Sequence, residues 1–333
     1  MAQEYEQPLG SAAITWAAVA AVPVAAGDAS GLVRIRLPRK ALMKHLKIRL
    51  AGSYDQSVGA ETQATEGNPV LIQEVRLSLE GSPRRQFFGG VLFELNRLRN
   101  RGAGLKTDPS VGVAAGKAFS STLIYDMGYL DLEGPLREST YLDLAKFGDV
   151  YLEIQFAPFN RYVSGNTQAN MSATVTVEEL GIYNVTRRSQ IHFEARKVAQ
   201  INMAVSGNDQ IVDLIRSIGT TRALLLRVGT LGATPIITAP TALSAVGVKG
   251  TLLIGTTQDL KAKLPTAAYT SDVGTGRSGI ALTAGYVLLD FAHNFKPNGL
   301  IEARRYSDLE LTFDIAGTAN TLMDVYQLMT APH

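Results

Sequence analysis

The chain has 333 residues, of which 46% are hydrophobic and 19% charged, so it can form packed cores and wholesale disorder is excluded. Thirty-two basic and thirty acidic residues leave a formal net charge of +2, which argues against a dedicated nucleic-acid-binding protein because phosphate contacts need a concentrated cationic field. The absence of cysteine excludes disulfide frameworks, zinc ribbons, iron–sulfur clusters and thiol nucleophiles.

The first predicted element is an N-terminal arm, residues 1–28, which contains an apolar run over residues 12–26. This run is shorter than the ~20 residues that a membrane-spanning helix needs, and Pro23 interrupts it. No Lys or Arg precedes Arg34, so a secretory signal is not predicted either. We expect the arm to dock on a neighbouring surface through its larger apolar side chains, which are Ile14, Trp16, Val19 and Val22.

Period-two alternation of apolar and polar residues predicts most of the remaining elements to be half-buried strands. It occurs over residues 31–38, 46–50, 70–80 and 149–156, and again over 308–315. In the last two segments the alternation predicts which side chains face a core. They are Val150, Leu152, Ile154 and Phe156 in the first segment and Leu309, Leu311, Phe313 and Ile315 in the second.

Helical patterns are scarce. Residues 91–101 place apolar side chains at helical spacing, and residues 257–264 form a second, shorter candidate. In the second segment Thr257 could cap the helix, and Leu260 and Leu264 lie one turn apart. Few helices among many short strands favour β-sandwiches over a parallel α/β sheet.

The two halves of the chain repeat one pattern. VRLSLEG at residues 75–81 precedes the first predicted helix, and KGTLLIG at 249–255 precedes the second. DVYLEIQF from Asp149 likewise matches DLELTFDI from Asp308, and each is followed by a loop and another alternating strand. This common order predicts a duplicated sandwich with a boundary near residues 187–190.

No residue set indicates catalysis, a cofactor or a firm metal site, so we do not expect an enzyme. The histidines His45, His192, His293 and His333 lack the spacing of a helical metal pair. Asp126, Asp131 and Glu133 supply oxygen atoms that Ca²⁺ accepts, but they lack the spacing of a calcium loop, so a structural calcium ion stays an open alternative to solvated loop charges.

Several segments together resemble a known family. They are VPVAAGDASGLVRIRLP from Val22, LIQEVRLSLEG with the helix VLFELNRLRNRG, DLIRSIGTTRALLLRVG from Asp213, and the closing segments GLIEARRYSDLELTFDI and NTLMDVYQLM. In this order they resemble the double jelly-roll major capsid proteins of tailless icosahedral phages with an internal membrane. The corticovirus type is the most similar, within the lineage that includes tectiviruses and adenoviruses.

The resemblance implies a mainly β fold of two tandem eight-stranded antiparallel jelly rolls, at residues 29–187 and 188–333 after the arm. It also implies a homotrimer that tiles a virion shell with neighbouring capsomers, contacts minor capsid and vertex proteins, and assembles in the host cytoplasm. The arm would lie on the inner side of the trimer, near the internal lipid membrane. Sequence-specific binding of nucleic acid is not expected.

Two other classes of function are open at this stage. A carbohydrate-binding or carbohydrate-cleaving sandwich would need a cleft with facing carboxylates and aromatic platforms, yet aromatic residues make up only 7% of the chain. A spike or other appendage component of a virion would carry a receptor-binding tip and Gly-rich repeats, which the sequence does not display.

Overall fold

The computed structural model describes residues 14–22, 32–37, 41–56, 61–99, 105–127, 141–164, 168–183, 191–216, 219–230, 242–270, 281–291 and 300–332. Regular structure in these residues is almost entirely antiparallel β, with one α-helix and a few single turns of 3-10 helix. This is the mainly β fold that the alternating segments predict.

The first half of the chain forms a sandwich of two sheets. One sheet has the strand order β1-β12-β3-β8 and the other has the order β2-β10-β5-β6. The helix α1, Gly89–Arg99, follows β6. The eight main strands are β1 (Ile14–Val22), β2 (Leu32–Arg36), β3 (Ala41–Gln56), β5 (Ile72–Leu79), β6 (Ser82–Phe87), β8 (Ala114–Asp126), β10 (Val150–Phe156) and β12 (Gln168–Tyr183); the short strands are β4 (Thr62–Gln63), β7 (Lys106–Thr107), β9 (Leu142–Asp143) and β11 (Val163–Ser164).

The second half repeats this arrangement strand for strand. Its sheets have the orders β13-β21-β15-β18 and β14-β20-β16-β17, and the short β19 pairs with β15 as β9 pairs with β3. Two tandem jelly rolls of eight main strands therefore confirm the predicted fold class and the predicted repeat. The strands are β13 (Ile191–Asn202), β14 (Gly207–Asp213), β15 (Thr220–Thr230), β16 (Leu243–Leu252), β17 (Thr257–Pro265), β18 (Tyr286–Asp290), β19 (Ile301–Glu302), β20 (Tyr306–Ile315) and β21 (Thr321–Pro332).

Side-chain alternation in β10 and β20 places one face of each strand in a core, as predicted. Burial in β10 alternates strictly between buried and half-buried residues, because successive side chains of a strand point to opposite faces of the sheet. All eight predicted core side chains are buried: Val150, Leu152, Ile154, Phe156, Leu309, Leu311, Phe313 and Ile315. The first four belong to the core of the first half and the last four to that of the second.

The two halves lie side by side with the same ends aligned. The strand β6 of the first half pairs with β13 of the second half in parallel, at Arg85 and Ala195. Parallel pairing fixes both strands to run in one direction, so equivalent turns among the described residues lie at the same end of the molecule in both halves.

One of the two predicted helices is wrong. The helix predicted over residues 91–101 is present as α1, but residues 257–264 form the edge strand β17. The spacing of Leu260 and Leu264 does not define a buried helical face here, because Leu260 is half-buried and Leu264 is exposed. KGTLLIG therefore leads into a β-hairpin, and VRLSLEG does the same at the turn between β5 and β6.

The predicted arm contains a strand. Within residues 1–28, Ile14–Val22 forms β1 and pairs with β12, the position that β13 occupies beside β21 in the second half. The predicted domain boundary at residues 187–190 lies outside the described residues. The three-part division of the chain stays a prediction.

Candidate functional site at the seam between the two halves

The second half packs on the first along a seam, at which β6 of the first half lies beside β13 of the second. Strand β15 is buried on both faces, which explains its continuous apolar run at residues 223–226. Leu224 and Leu226 point into the second core, whereas Leu225 joins the buried cluster of the first half. The seam side chains that join this first cluster are Ala195, Ala223, Leu225, Leu282, Tyr286, Tyr326 and Leu328.

A buried ion pair crosses the apolar seam. Arg227 on β15 donates to both carboxylate oxygens of Glu66, with Nε–Oε1 2.9 Å and Nη2–Oε2 2.6 Å. Tyr286 on β18 donates its hydroxyl to the same carboxylate, and the Arg227 guanidinium lies 4.5 Å from the ring centroid of Phe88. The Glu66 side chain is 2% exposed and that of Arg227 is 12% exposed, so these charges hold the two halves in one orientation.

Electrostatics at this ion pair favour its charged form. Burial alone lowers the pKa of Arg227, but the Glu66 carboxylate outweighs it and raises that pKa overall. Burial and the same carboxylate raise the pKa of the Tyr286 hydroxyl well above its ordinary value, so Tyr286 remains a neutral donor.

The helix α1 contributes a second polar contact across the seam. Glu94 accepts hydrogen bonds from the backbone N–H of Thr283 at 2.8 Å and from its hydroxyl at 2.7 Å. Arg97, one turn along the helix, pairs with Glu94 at 2.6 Å. The carboxylate is therefore satisfied although the Glu94 side chain is buried.

Of two neighbouring arginines on β6, Arg85 is bound within the first half and Arg84 contacts β13 across the seam. The buried Arg85 on β6 donates to the backbone carbonyls of Asp126 at 2.7 Å and Met127 at 2.8 Å. Burial lowers the pKa of Arg85 to about 10. Its neighbour Arg84 reaches Glu194 on β13 at 3.5 Å.

A cleft of about 410 Å³ opens at one side of the seam, between β5 and β6 of the first half and β13, β15 and β21 of the second. Its two carboxylates are already ion-paired: Glu74 with Arg76 at 2.8 Å, and Asp324 with Lys197 at 2.7 Å. Asp324 also accepts from Gln200 at 2.8 Å. The cleft thus presents paired charges rather than a facing acid and base.

A separate buried ion pair lies inside the first sandwich. Lys117 on β8 pairs with Glu61, and both side chains are almost fully buried. Tyr54 donates to Glu61, and Gln63 donates to the same carboxylate at 2.8 Å. Burial tends to raise the pKa of Glu61, but the hydrogen bonds from Lys117 and Tyr54 outweigh it and lower that pKa.

The structure does not gather the metal-ligand candidates of the sequence into one site. His45 on β3 lies opposite Asp126 on β8 in the sheet register. Asp131, Glu133, His293 and His333 lie outside the described residues, as does the side chain of His192. Within the described part of the chain, no group of three or more His, Asp or Glu side chains is placed to hold a metal ion.

The predicted arm contacts stay predictions. The backbone of β1 is described, but the side chains of Ile14, Trp16, Val19 and Val22 are not. No helix in the described ranges combines the length and apolar character needed to cross a membrane.

The seam residues Glu66, Glu94 and Arg227 were not predicted from sequence. Their partners lie far away along the chain, 161 residues for Glu66 and 189 for Glu94, so no local spacing connects them. A local indication of the seam is the continuous apolar run of β15 at residues 223–226. A strand with one face in solvent would instead alternate apolar and polar residues.

Comparison with known proteins identifies the fold. No protein-family model and no curated protein sequence matches the chain. Among solved structures, the chain is similar to the major capsid protein P2 of bacteriophage PM2, with 13% identity, a TM-score of 0.59 and coverage of 94% of this chain and 95% of that one. It is also similar to the STIV major capsid protein, with 16% identity, a TM-score of 0.62 and coverage of 93% of this chain and 96% of that one. For PBCV-1 VP54 the identity is 13%, the TM-score is 0.59 and the coverage is 95% of this chain and 94% of that one.

These neighbours match over nearly the whole length of both chains. The architecture is therefore that of the double jelly-roll major capsid proteins, with both sandwiches present and in the same order.

Proposed function

We propose that this chain is the major capsid protein of an icosahedral virus, a structural protein without enzymatic turnover that forms pseudo-hexameric homotrimers over an internal membrane. The observation that carries this proposal is the full-length double jelly roll shared with three major capsid proteins. Three copies of a chain with two similar halves present six similar units, which is the count that a pseudo-hexagonal tile needs.

The seam within one chain suggests how copies meet. In the first half, β6 pairs with β5 on one side and with β13 on the other. Its counterpart β17 pairs with β16 alone within the described ranges, and β1, the counterpart of β13, pairs there with β12 alone. In the described part of the chain each copy therefore offers an edge at β17 and an edge at β1 that have no second strand beside them. Joining the two edges head to tail repeats the seam between copies until three copies close a ring.

The remaining assignments follow from this role. The arm, with Ile14, Trp16, Val19 and Val22 as contact residues, is proposed to lie on the inner side of the trimer and to reach neighbouring capsomers or the lipid. Minor capsid and vertex proteins are the other proposed partners, and assembly is proposed to take place in the host cytoplasm.

The test combines native mass with particle shape. We expect the purified chain to have three times its 35.7 kDa mass and to give hexagonal outlines by negative-stain electron microscopy. A monomer or dimer at micromolar concentration contradicts the proposal.

The edge arrangement has its own test, because the chain contains no cysteine. Leu77 pairs with Arg85 and Val248 pairs with Lys261, so Lys261 is the β17 counterpart of the seam residue Arg85. Thr15 lies within β1, where it pairs with Glu178 of β12. A Lys261→Cys and Thr15→Cys double variant treated with a short bismaleimide should give covalent dimers and trimers on a denaturing gel. The single Lys261→Cys variant is the matched control, and equal ladders from both variants would contradict the β17–β1 contact.

A further inference from the structure

The turn between β16 and β17 presents two large aliphatic side chains to solvent. Leu253 is 71% exposed and Ile254 is 83% exposed. They are the central residues of a tight turn, because the N–H of Gly255 donates to the carbonyl of Leu252 at 2.8 Å. We call residues 252–255 the aliphatic tip.

This composition is contrary to ordinary turn chemistry, which favours Gly, Asn, Asp, Ser and Pro. The equivalent turn of the first half is hydrophilic, because Glu80 and Gly81 occupy it, with positive φ values of 51° and 79°. The two halves share strand order, so the fold itself does not require aliphatic residues at this turn. The turns differ in length, since Leu79 pairs with Ser82 across the first and Thr251 pairs with Thr257 across the second. Exposed aliphatic side chains at only one of two equivalent turns indicate a function there.

Exposed arginines stand beside the tip. The N–H of Leu253 donates to the carbonyl of Arg305 at 3.1 Å, and Arg304 and Arg305 are both exposed. Arg216 lies close by, 3.9 Å from Asp308, the residue that pairs with Thr251. The carboxylates in the same area are Glu302, which pairs with Arg305, and Asp308, so cations exceed anions by one.

The tip lies at the end of the molecule where the first strand of each half begins. It adjoins Ala303–Arg305, which follows β19, and β19 pairs with the start of β15. The start of β15 pairs with the end of β21, beside which β13 begins. Because β1 is the counterpart of β13 and the halves share one orientation, β1 also begins at this end.

We propose that the aliphatic tip is a lipid-docking site, which inserts Leu253 and Ile254 into the headgroup–acyl boundary of an anionic bilayer while Arg304, Arg305 and Arg216 meet lipid phosphates. A convex pair of side chains buries little area on another protein, yet it suits a fluid interface that closes around it. Guanidinium groups beside an inserted apolar tip can reach the headgroups while their stems stay in contact with apolar surface. This proposal extends the proposed function, since it gives that function's internal membrane a contact on the sandwich itself.

Vesicle flotation of the full chain tests the site. The wild type should float with phosphatidylcholine vesicles that contain 30% phosphatidylglycerol. The partition coefficient of a Leu253→Ser and Ile254→Ser double variant should be lower by roughly tenfold or more, because two aliphatic side chains are no longer transferred out of water. Serine suits a turn, so folding should be kept, and thermal unfolding checks this. The matched control is Val111→Ser with Val113→Ser, a pair of exposed aliphatic residues (60% and 61%) in the loop that precedes β8, at the opposite end. Equal flotation of the tip variant and the wild type overturns the proposal.

A position-specific probe separates the tip from the arm. Ile254→Cys labelled with the fluorophore NBD should shift its emission to the blue on the same vesicles, and this label is unique because the chain has no cysteine. Val205→Cys, at the opposite end and 77% exposed, is the control and should not shift. An unshifted probe at residue 254 overturns the tip proposal even if the arm carries the protein onto vesicles.

Native mass on the same preparation separates this proposal from the proposed function. A trimer whose residue 254 stays in water refutes the lipid site and leaves the capsid role standing. A monomer whose residue 254 enters the bilayer refutes the trimer and supports the site. If the tip variant floats normally but no longer assembles, the tip contacts protein, and the lipid proposal is wrong.

Discussion

Glu66 and Arg227 face each other across the seam in a two-bond ion pair, although 161 residues separate them along the chain. Removing the Glu66 charge leaves the buried Arg227 guanidinium with Asp324, which lies 3.6 Å away and is already paired with Lys197. We expect Glu66→Gln to lower the free energy of unfolding by about 3–5 kcal/mol, measured by urea denaturation. The control is Asp149→Asn, which breaks the exposed pair with Arg36 and should cost at most about 1 kcal/mol. Equal losses in the two variants would mean that the seam pair is not a principal contact.

Leu152 and Leu311 occupy equivalent core positions in the two sandwiches, and both are fully buried. Truncating either one to alanine should cost about 2–5 kcal/mol of unfolding free energy, because transfer and cavity contributions add. Leu32→Ala is the matched control, since that leucine is 64% exposed and its loss should change stability little. A small effect at Leu311 alone would indicate that the second core collapses around the gap.

The Glu61–Lys117 pair predicts a specific dependence of stability on pH. The pKa of Glu61 is lower in the folded chain than in the unfolded chain. The stabilisation is therefore fully present above the unfolded pKa of about 4.3 and is lost as pH falls through the folded value. The stability gap between wild type and Glu61→Gln should be constant from pH 6 to 7 and shrink below about pH 4.

The control for this pair removes both charges. A Glu61→Met and Lys117→Met double variant should be more stable at pH 7 than Glu61→Gln, because no buried charge is left without a partner. Chemical denaturation at each pH measures both comparisons. A gap that stays unchanged down to pH 3 would mean that Glu61 titrates normally.

The pairing of β1 with β12 predicts how truncation of the arm affects the solubility of the chain. Deleting residues 2–20 removes most of β1 and leaves the long strand β12 with an unpaired edge. Such an edge promotes association with other chains, so we expect aggregation on size-exclusion chromatography. Deleting residues 2–10 keeps β1 and should leave the capsomer soluble. Normal capsomers from the longer deletion would show that β1 is dispensable for the sandwich.

The core residues of both sandwiches could be predicted from local alternation. The sequence of a single strand is enough to show which of its side chains share one face and are apolar. Leu152 and Leu311 are examples, and their predicted burial is confirmed. The helix predicted at Thr257 failed for the complementary reason. Its two leucines satisfy helical spacing, but hydrogen bonding to β16 was available along the whole segment and outweighed a weak local preference.

The seam could not be predicted in the same way. Glu66 and Arg227 belong to different halves, and their contact depends on how two finished sandwiches pack, not on any local pattern. Likewise, the sequence suggested a duplication without indicating which strand edges meet. Only the three-dimensional pairing of Arg85 with Ala195 reveals that β6 receives the second half.

The parallel contact between β6 and β13 also has a consequence for how the two halves can diverge in sequence. Because like ends of the two halves lie together, the described β5–β6 turn has its counterpart, the β16–β17 turn, at the same end of the molecule. In an assembly of identical single sandwiches, any change to a turn would be imposed on all six positions of a ring. When two sandwiches are joined in one chain, the two copies of a turn can differ in sequence. The turn at Glu80 and Gly81 is hydrophilic, whereas its counterpart exposes the apolar side chains of Leu253 and Ile254, and the strands that carry the two turns keep the same arrangement.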